Sequence, residues 1–184
     1  MTPQLIQFYN NWLGKADGYE GENLADHFDR FTSLYIVYNS LYMDVMNELV
    51  ISGKHIPLDY KDKKAASDYV IQYLKSKFFI DNLLNDQISV DNLSEICRII
   101  DEEQFHIILH WGNQQRYLDL QLLDALRSNN KQSKAVAILR LFYHIRCNLF
   151  HGHKGFEENQ RLLLMPVNAL LRRTVQITFS RLEN

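Results

Sequence analysis

Glycine and proline are scarce: the 184 residues hold seven of the first and three of the second. Many short strands joined by tight turns would need more of both, so the shortage points to long helices. Cysteine is scarcer still, with Cys97 and Cys147 alone. Each sits in an apolar helical pattern and reads as a small buried thiol of a reducing cytoplasm, not as part of a disulfide framework. No apolar run approaches the ~18 residues that a membrane span needs, so no membrane association is expected. Met1 to Leu13 lacks a basic start followed by an apolar core, and no signal peptide is expected. What remains is an ordinary globular composition, 46% hydrophobic and 23% charged, long enough for one domain with a sizeable core over residues 1–184.

Helical periodicity fills most of the chain. Thr2 and Pro3 form a helix start, a hydroxyl cap followed by proline at the first helical position. Leu5, Phe8, Tyr9 and Trp12 follow at helical spacing, and Gly14, Gly18 and Gly21 end the segment. From about Asn23 to Ser52, residues Leu24, Phe28, Phe31, Tyr35, Tyr38, Tyr42, Val45, Met46 and Leu49 mark one face of a helix roughly 45 Å long. Asn39 interrupts that face, either to fix helix register or to serve a site. A helical pattern resumes from about Lys61 to Leu84, where the Lys61–Lys64 run reads as a solvated start. Asn85 to Val90 reads as a loop, with Asp91 capping the helix after it. Phe105 to Trp111 suits a buried strand or a helix; helix is preferred because no strand partner is evident nearby. Tyr117 to Leu126 marks a further helix. A helix from about Gln132 carries Ile138, Leu141, Phe142, Ile145 and Leu149, and Gly152 is placed to end it. The last helix spans roughly Glu158 to Leu182, with Pro166 expected to kink it or to mark a new start.

The net charge of −2 hides an asymmetry. Residues 131–184 carry nine Lys/Arg and three Glu, a net +6, whereas residues 1–130 carry 11 Lys/Arg and 19 Asp/Glu, a net −8. A basic C-terminal third suits a polyanion-binding surface; on charge alone solvated helix faces are the plainer reading, and the asymmetry also suits the association of two copies.

The stretch Ile145 to Lys154 holds the candidate chemistry. Cutting RNA without a metal requires an activated 2′-hydroxyl, a stabilised phosphate and a protonated leaving oxygen. His151 can exchange protons near neutral pH, and Arg146 offers a charged planar fork to phosphate oxygens. On a straight helix five residues separate them by roughly 7.5 Å and ~140°, so they converge only if the helix unwinds at His151 or if two chains share a cleft. His151 and His153 have no nearby Cys or Asp to complete a metal set, and His106 and His110, four apart, lack a third ligand. No metal or cofactor is expected, and His106 and His110 are read as structural.

Arg146-Cys147-Asn148-Leu149-Phe150-His151 is an Arg-x4-His arrangement that resembles the motif of HEPN domains, and Ile145 to Lys154 is similar to the Apea-like branch. Phe28 to Tyr42, with Asn39 in mid-helix, is similar to the aromatic helix of that branch. The resemblance covers residues 24–50 and 132–182; residues 54–130 have no counterpart in it. It implies an all-α, up-and-down helical bundle of HEPN type with additional helices in the middle of the chain, dimerised so that two motif copies face one cleft. It further implies a metal-independent endoribonuclease of toxin–antitoxin or phage-defence setting, with RNA as substrate and an antitoxin or neighbouring defence protein as partner. Arg146 would polarise the phosphate and His151 would transfer protons. Asn39 and Asn148 would support them, and His153 and Lys154 would reach RNA phosphates. Many members carry a polar residue directly after the arginine, where this chain has Cys147. A non-catalytic module of the same fold, binding RNA or a protein, is the alternative, and a purely structural partner is a third reading.

Overall fold

In a computed structural model of the chain, residues 3–19, 21, 23–57, 59–150 and 159–183 are described. They form an all-α bundle with one two-stranded hairpin. Helix α1 (Pro3–Asp17) leads into α2 (Leu24–Ile51), whose start is set by Asn23: its Oδ1 accepts the Asp26 amide at 2.9 Å. Phe31, Leu34, Tyr38, Leu41 and Val45 keep the 3–4 spacing and are fully enclosed, so α2 is the strut around which the core is built. Tyr35, Tyr38 and Tyr42 pack edge to face along it.

The segment after α2 departs from the single helix that periodicity suggests. It is α3 (Asp62–Lys64), a π-helical turn (Ala65–Tyr69), α4 (Val70–Leu74) and α5 (Ser76–Leu83). The π turn leaves the Ala66 carbonyl to the Tyr38 hydroxyl, 2.5 Å away. The break between α4 and α5 lies at Lys75, whose φ is +68°. No glycine marks it in the sequence. The turn directs Phe79, Ile80 and Leu83 into the core. Because a left-handed backbone costs a side-chain-bearing residue about 1–2 kcal/mol, Lys75→Gly is expected to raise stability by about 0.5–1 kcal/mol after its entropic penalty. Thermal unfolding would register this as a higher Tm.

Helix α6 (Gln87–Asp101) begins five residues earlier than the sequence reading placed it. Its cap is Asp86, whose Oδ1 accepts the Ser89 amide at 2.8 Å; Asp91 lies inside the helix. Residues 105–111 are not helical either. They run extended into β1 (Leu109–His110), which pairs antiparallel with β2 (Asn113–Gln114). Trp111 and Gly112 form the two-residue turn with φ of +51° and +78°, the positive values that such hairpins demand. The strand partner exists, but it is only two residues long and polar, so alternation could not reveal it.

Three helices complete the bundle: α7 (Arg116–Arg127), α8 (Lys131–Phe150) and α9 (Asn159–Glu183). Asn130 caps α8 by accepting the Gln132 and Ser133 amides. α9 runs through Pro166 without a new start. It packs along α2 and α6, burying Val167, Leu170, Leu171, Thr174 and Val175. Tyr9 stacks on Phe179 at 3.6 Å, and Arg172 grips both oxygens of Asp17 at 2.8 and 2.9 Å, fixing α1 to α9. Asp17 consequently holds its carboxyl below the usual range, chiefly through that hydrogen bond. Similar pairs join Arg140 to Asp68 and Lys131 to Asp81. Part of the positive charge of the C-terminal third is therefore paired at the surface of the bundle with acids of the first half. Among the described residues no helix is long and apolar enough to cross a membrane.

Candidate functional site

α8 presents two different faces because successive even positions differ by about 200° around a helix. Arg146 occupies one face and His144 the other. On the Arg146 side lies an open cavity of about 460 Å³, lined from α2 by Tyr35, Ile36, Asn39, Ser40 and Met43 and from α1 by Phe8. Arg146 and Asn39, 107 positions apart in the sequence, thus border the same space. Asn39 is exposed. It is therefore not a buried register device; it stands at the cavity rim with its amide accessible.

The walls of this cavity are polar where they meet Arg146. Its guanidinium carbon lies 6.0 Å above the Tyr35 ring, and Nη1 is 4.0 Å from the Cys147 sulfur. Burial works against the charge of Arg146, but the Cys147 thiol, the Tyr35 hydroxyl and Asp62 outweigh it and hold the guanidinium's pKa above its ordinary value. The Tyr35 hydroxyl is enclosed and has no hydrogen-bond partner among the described residues; burial first, then the neighbouring Tyr38 and Tyr42, raises its pKa. Tyr143, one turn before Arg146 in α8, is pushed up to about 12 by burial and then by Cys147. At neutral pH these phenols therefore remain neutral donors beside a fixed cation.

Tyr42 links Asn39 to α3. Its hydroxyl oxygen contacts Asn39 Oδ1 and lies 2.7 Å from Asp62 Oδ1. A phenol has one proton, and Asp62 is the stronger acceptor. Asn39 is satisfied if its amide turns to present NH₂ to the phenol oxygen, which orders a chain from Asn39 through Tyr42 to Asp62. Asp62 had read as part of a solvated helix start. Only its position 20 residues after Tyr42, across the loop from α2, brings it to the site, and no local pattern signals that.

Asn148 is placed elsewhere. It is 5% exposed and donates Nδ2 to the Ile107 carbonyl at 2.8 Å, on the face of α8 away from Arg146. It anchors residues 105–108 instead of lining the cavity. His106, from the same segment, sets Nδ1 3.2 Å from Asp119 Oδ2, and His110 belongs to β1, so the two histidines do not share a helix face. Among the described residues no group of three His, Cys, Asp or Glu side chains is placed to hold a metal ion. His151, His153 and Lys154 lie outside the described residues, as does Gly152. α8 is helical from Arg146 through Phe150, so no unwinding between those residues brings the motif's two ends together. Comparison with family models, with curated proteins and with solved structures gives no match.

Proposed function

We propose that this chain is a HEPN-type, metal-independent endoribonuclease acting as a cytoplasmic homodimer in a toxin–antitoxin or phage-defence setting. One observation carries the reading. Arg146 and Asn39, the two motif residues that lie far apart in sequence and are described, border one open cavity between α8 and α2. In the proposed reaction Arg146 holds the non-bridging oxygens of the scissile phosphate. The 2′-oxygen attacks phosphorus, the 2′-O–P bond forms and the P–O5′ bond breaks. His151 moves the proton that leaves the 2′-hydroxyl or the one that reaches the 5′-oxygen, a second group moving the other. The products are a 2′,3′-cyclic phosphate and a 5′-hydroxyl. Asn39, steadied by Tyr42, orients the phosphate against the guanidinium.

The test is incubation of the purified protein with RNA in EDTA, with analysis of product ends. Cyclic-phosphate ends that disappear in both Arg146→Ala and His151→Ala support the proposal. A second reading is favoured by Cys147, whose thiol faces Arg146 where many HEPN domains have a polar group: the cavity then holds RNA or a protein without cutting. RNA retention with no cleavage by the wild-type protein would select it.

A further inference from the structure

The opposite face of α8 borders a second cavity, of about 540 Å³, that the proposed nuclease chemistry does not use. Its floor is apolar: Leu122 and Ala125 of α7 face Val136 and Ala137 of α8, with Ile108 at one end and the more exposed Leu118 at the mouth. That end is held in place by Asn148 and Asp119, which fix the backbone of residues 107 and 108. Basic side chains gather at the other side, with His144 neutral near pH 7. Lys63, Arg140 and His144 line the cavity together with one acid, Asp68. Asp68 is already engaged, by Arg140 Nη2 at 3.2 and 3.3 Å and by the Ser67 hydroxyl at 2.8 Å. Arg140 Nε is buried with no acceptor among the described residues. Lys63 and His144 are thus left facing a positive neighbour.

We propose that this cavity binds a small organic anion, a carboxylate or phosphate carried on an apolar body. Its volume suits a ligand of that size. The floor of α7 and α8 takes the apolar part; Lys63 takes the charge with the partly exposed Arg140 side chain beside it, which offsets their mutual repulsion. The local electrostatics agree with an anion at this place. Burial, and then Lys63 and Arg140, depresses the pKa of His144 to about 4, and burial followed by Arg140 lowers that of Lys63.

Titration calorimetry of the intact protein with 1-naphthyl phosphate and with 1-naphthoate tests the site, with inorganic phosphate and 1-naphthol as controls. Saturable binding of either naphthyl anion is expected, at least about tenfold tighter than either control. Whichever anion binds better identifies the head group. Lys63→Gln, and Leu118→Glu at the cavity mouth, are each expected to weaken it by about tenfold or more; both positions lie outside the core, and circular dichroism checks their folding. No saturable binding of either anion overturns the proposal. So does inorganic phosphate or naphthol binding as tightly as the anions, or unchanged affinity in both folded variants. The RNA-cleavage assay is independent of these outcomes.

Discussion

Asp119→Ala is expected to lower the unfolding free energy by about 3–5 kcal/mol, measured by chemical denaturation. Asp119 is wholly enclosed at the start of α7. Its Oδ1 accepts the amides of Ile107 at 3.2 Å and Ile108 at 2.8 Å, and Oδ2 meets His106 Nδ1. These residues lie ahead of the hairpin, where no helix or longer strand supplies acceptors. Alanine would strand two amides and one imidazole nitrogen in a dry setting, and each such group costs about 1–3 kcal/mol. Asp119→Asn keeps Oδ1 in place and is expected to cost only about 1–2 kcal/mol. Asn148→Ala, which frees the Ile107 carbonyl, should cost a similar amount. Wild-type denaturation midpoints for Asp119→Ala would remove the carboxylate from its role as anchor.

The second large effect is a pH dependence centred on His144. Burial, then Lys63 and Arg140, brings its folded-state pKa to about 4 from an ordinary 6.5. The folded state thus prefers the neutral ring, while the unfolded chain takes a proton as pH falls through 6.5. The stability associated with neutral His144 is present above that value, declines between pH 6.5 and 4, and has been lost below. A shift of this size corresponds to up to about 3 kcal/mol. Denaturation at pH 7.5, 5.5 and 4.5 should show wild type losing that much more than His144→Gln over the interval. Parallel curves for the two proteins would place the charge response elsewhere, for example in Asp17, which the Arg172 hydrogen bond keeps ionised to lower pH.

The long helices were legible because their signals are local. Asn23 and the aromatic face after it place α2 within a residue of its observed limits, and the run from Gln132 locates the start of α8 equally well. The middle of the chain resists reading for the opposite reason: its conformation is decided by distant partners. The extended backbone at Ile107 depends on Asp119 and Asn148, 12 and 41 residues away. Lys75 adopts a left-handed φ without a glycine to announce it. At the site, the resemblance singled out Arg146 and Asn39, and the fold puts both at one cavity. It also singled out Asn148, which the helix rotates to the other face. The Tyr42–Asp62 contact joins separate helices and has no sequence signature.

The central claim is that the Arg146–Asn39 cavity handles an RNA phosphate. Single-turnover cleavage of an end-labelled RNA in EDTA, compared across wild type, Arg146→Ala and Asn39→Ala, tests it most directly. Wild type should release fragments ending in 2′,3′-cyclic phosphate; Arg146→Ala should be slower by about 10²–10³ and Asn39→Ala by a smaller factor. An inert wild-type protein, or cleavage at the wild-type rate by Arg146→Ala, would contradict it.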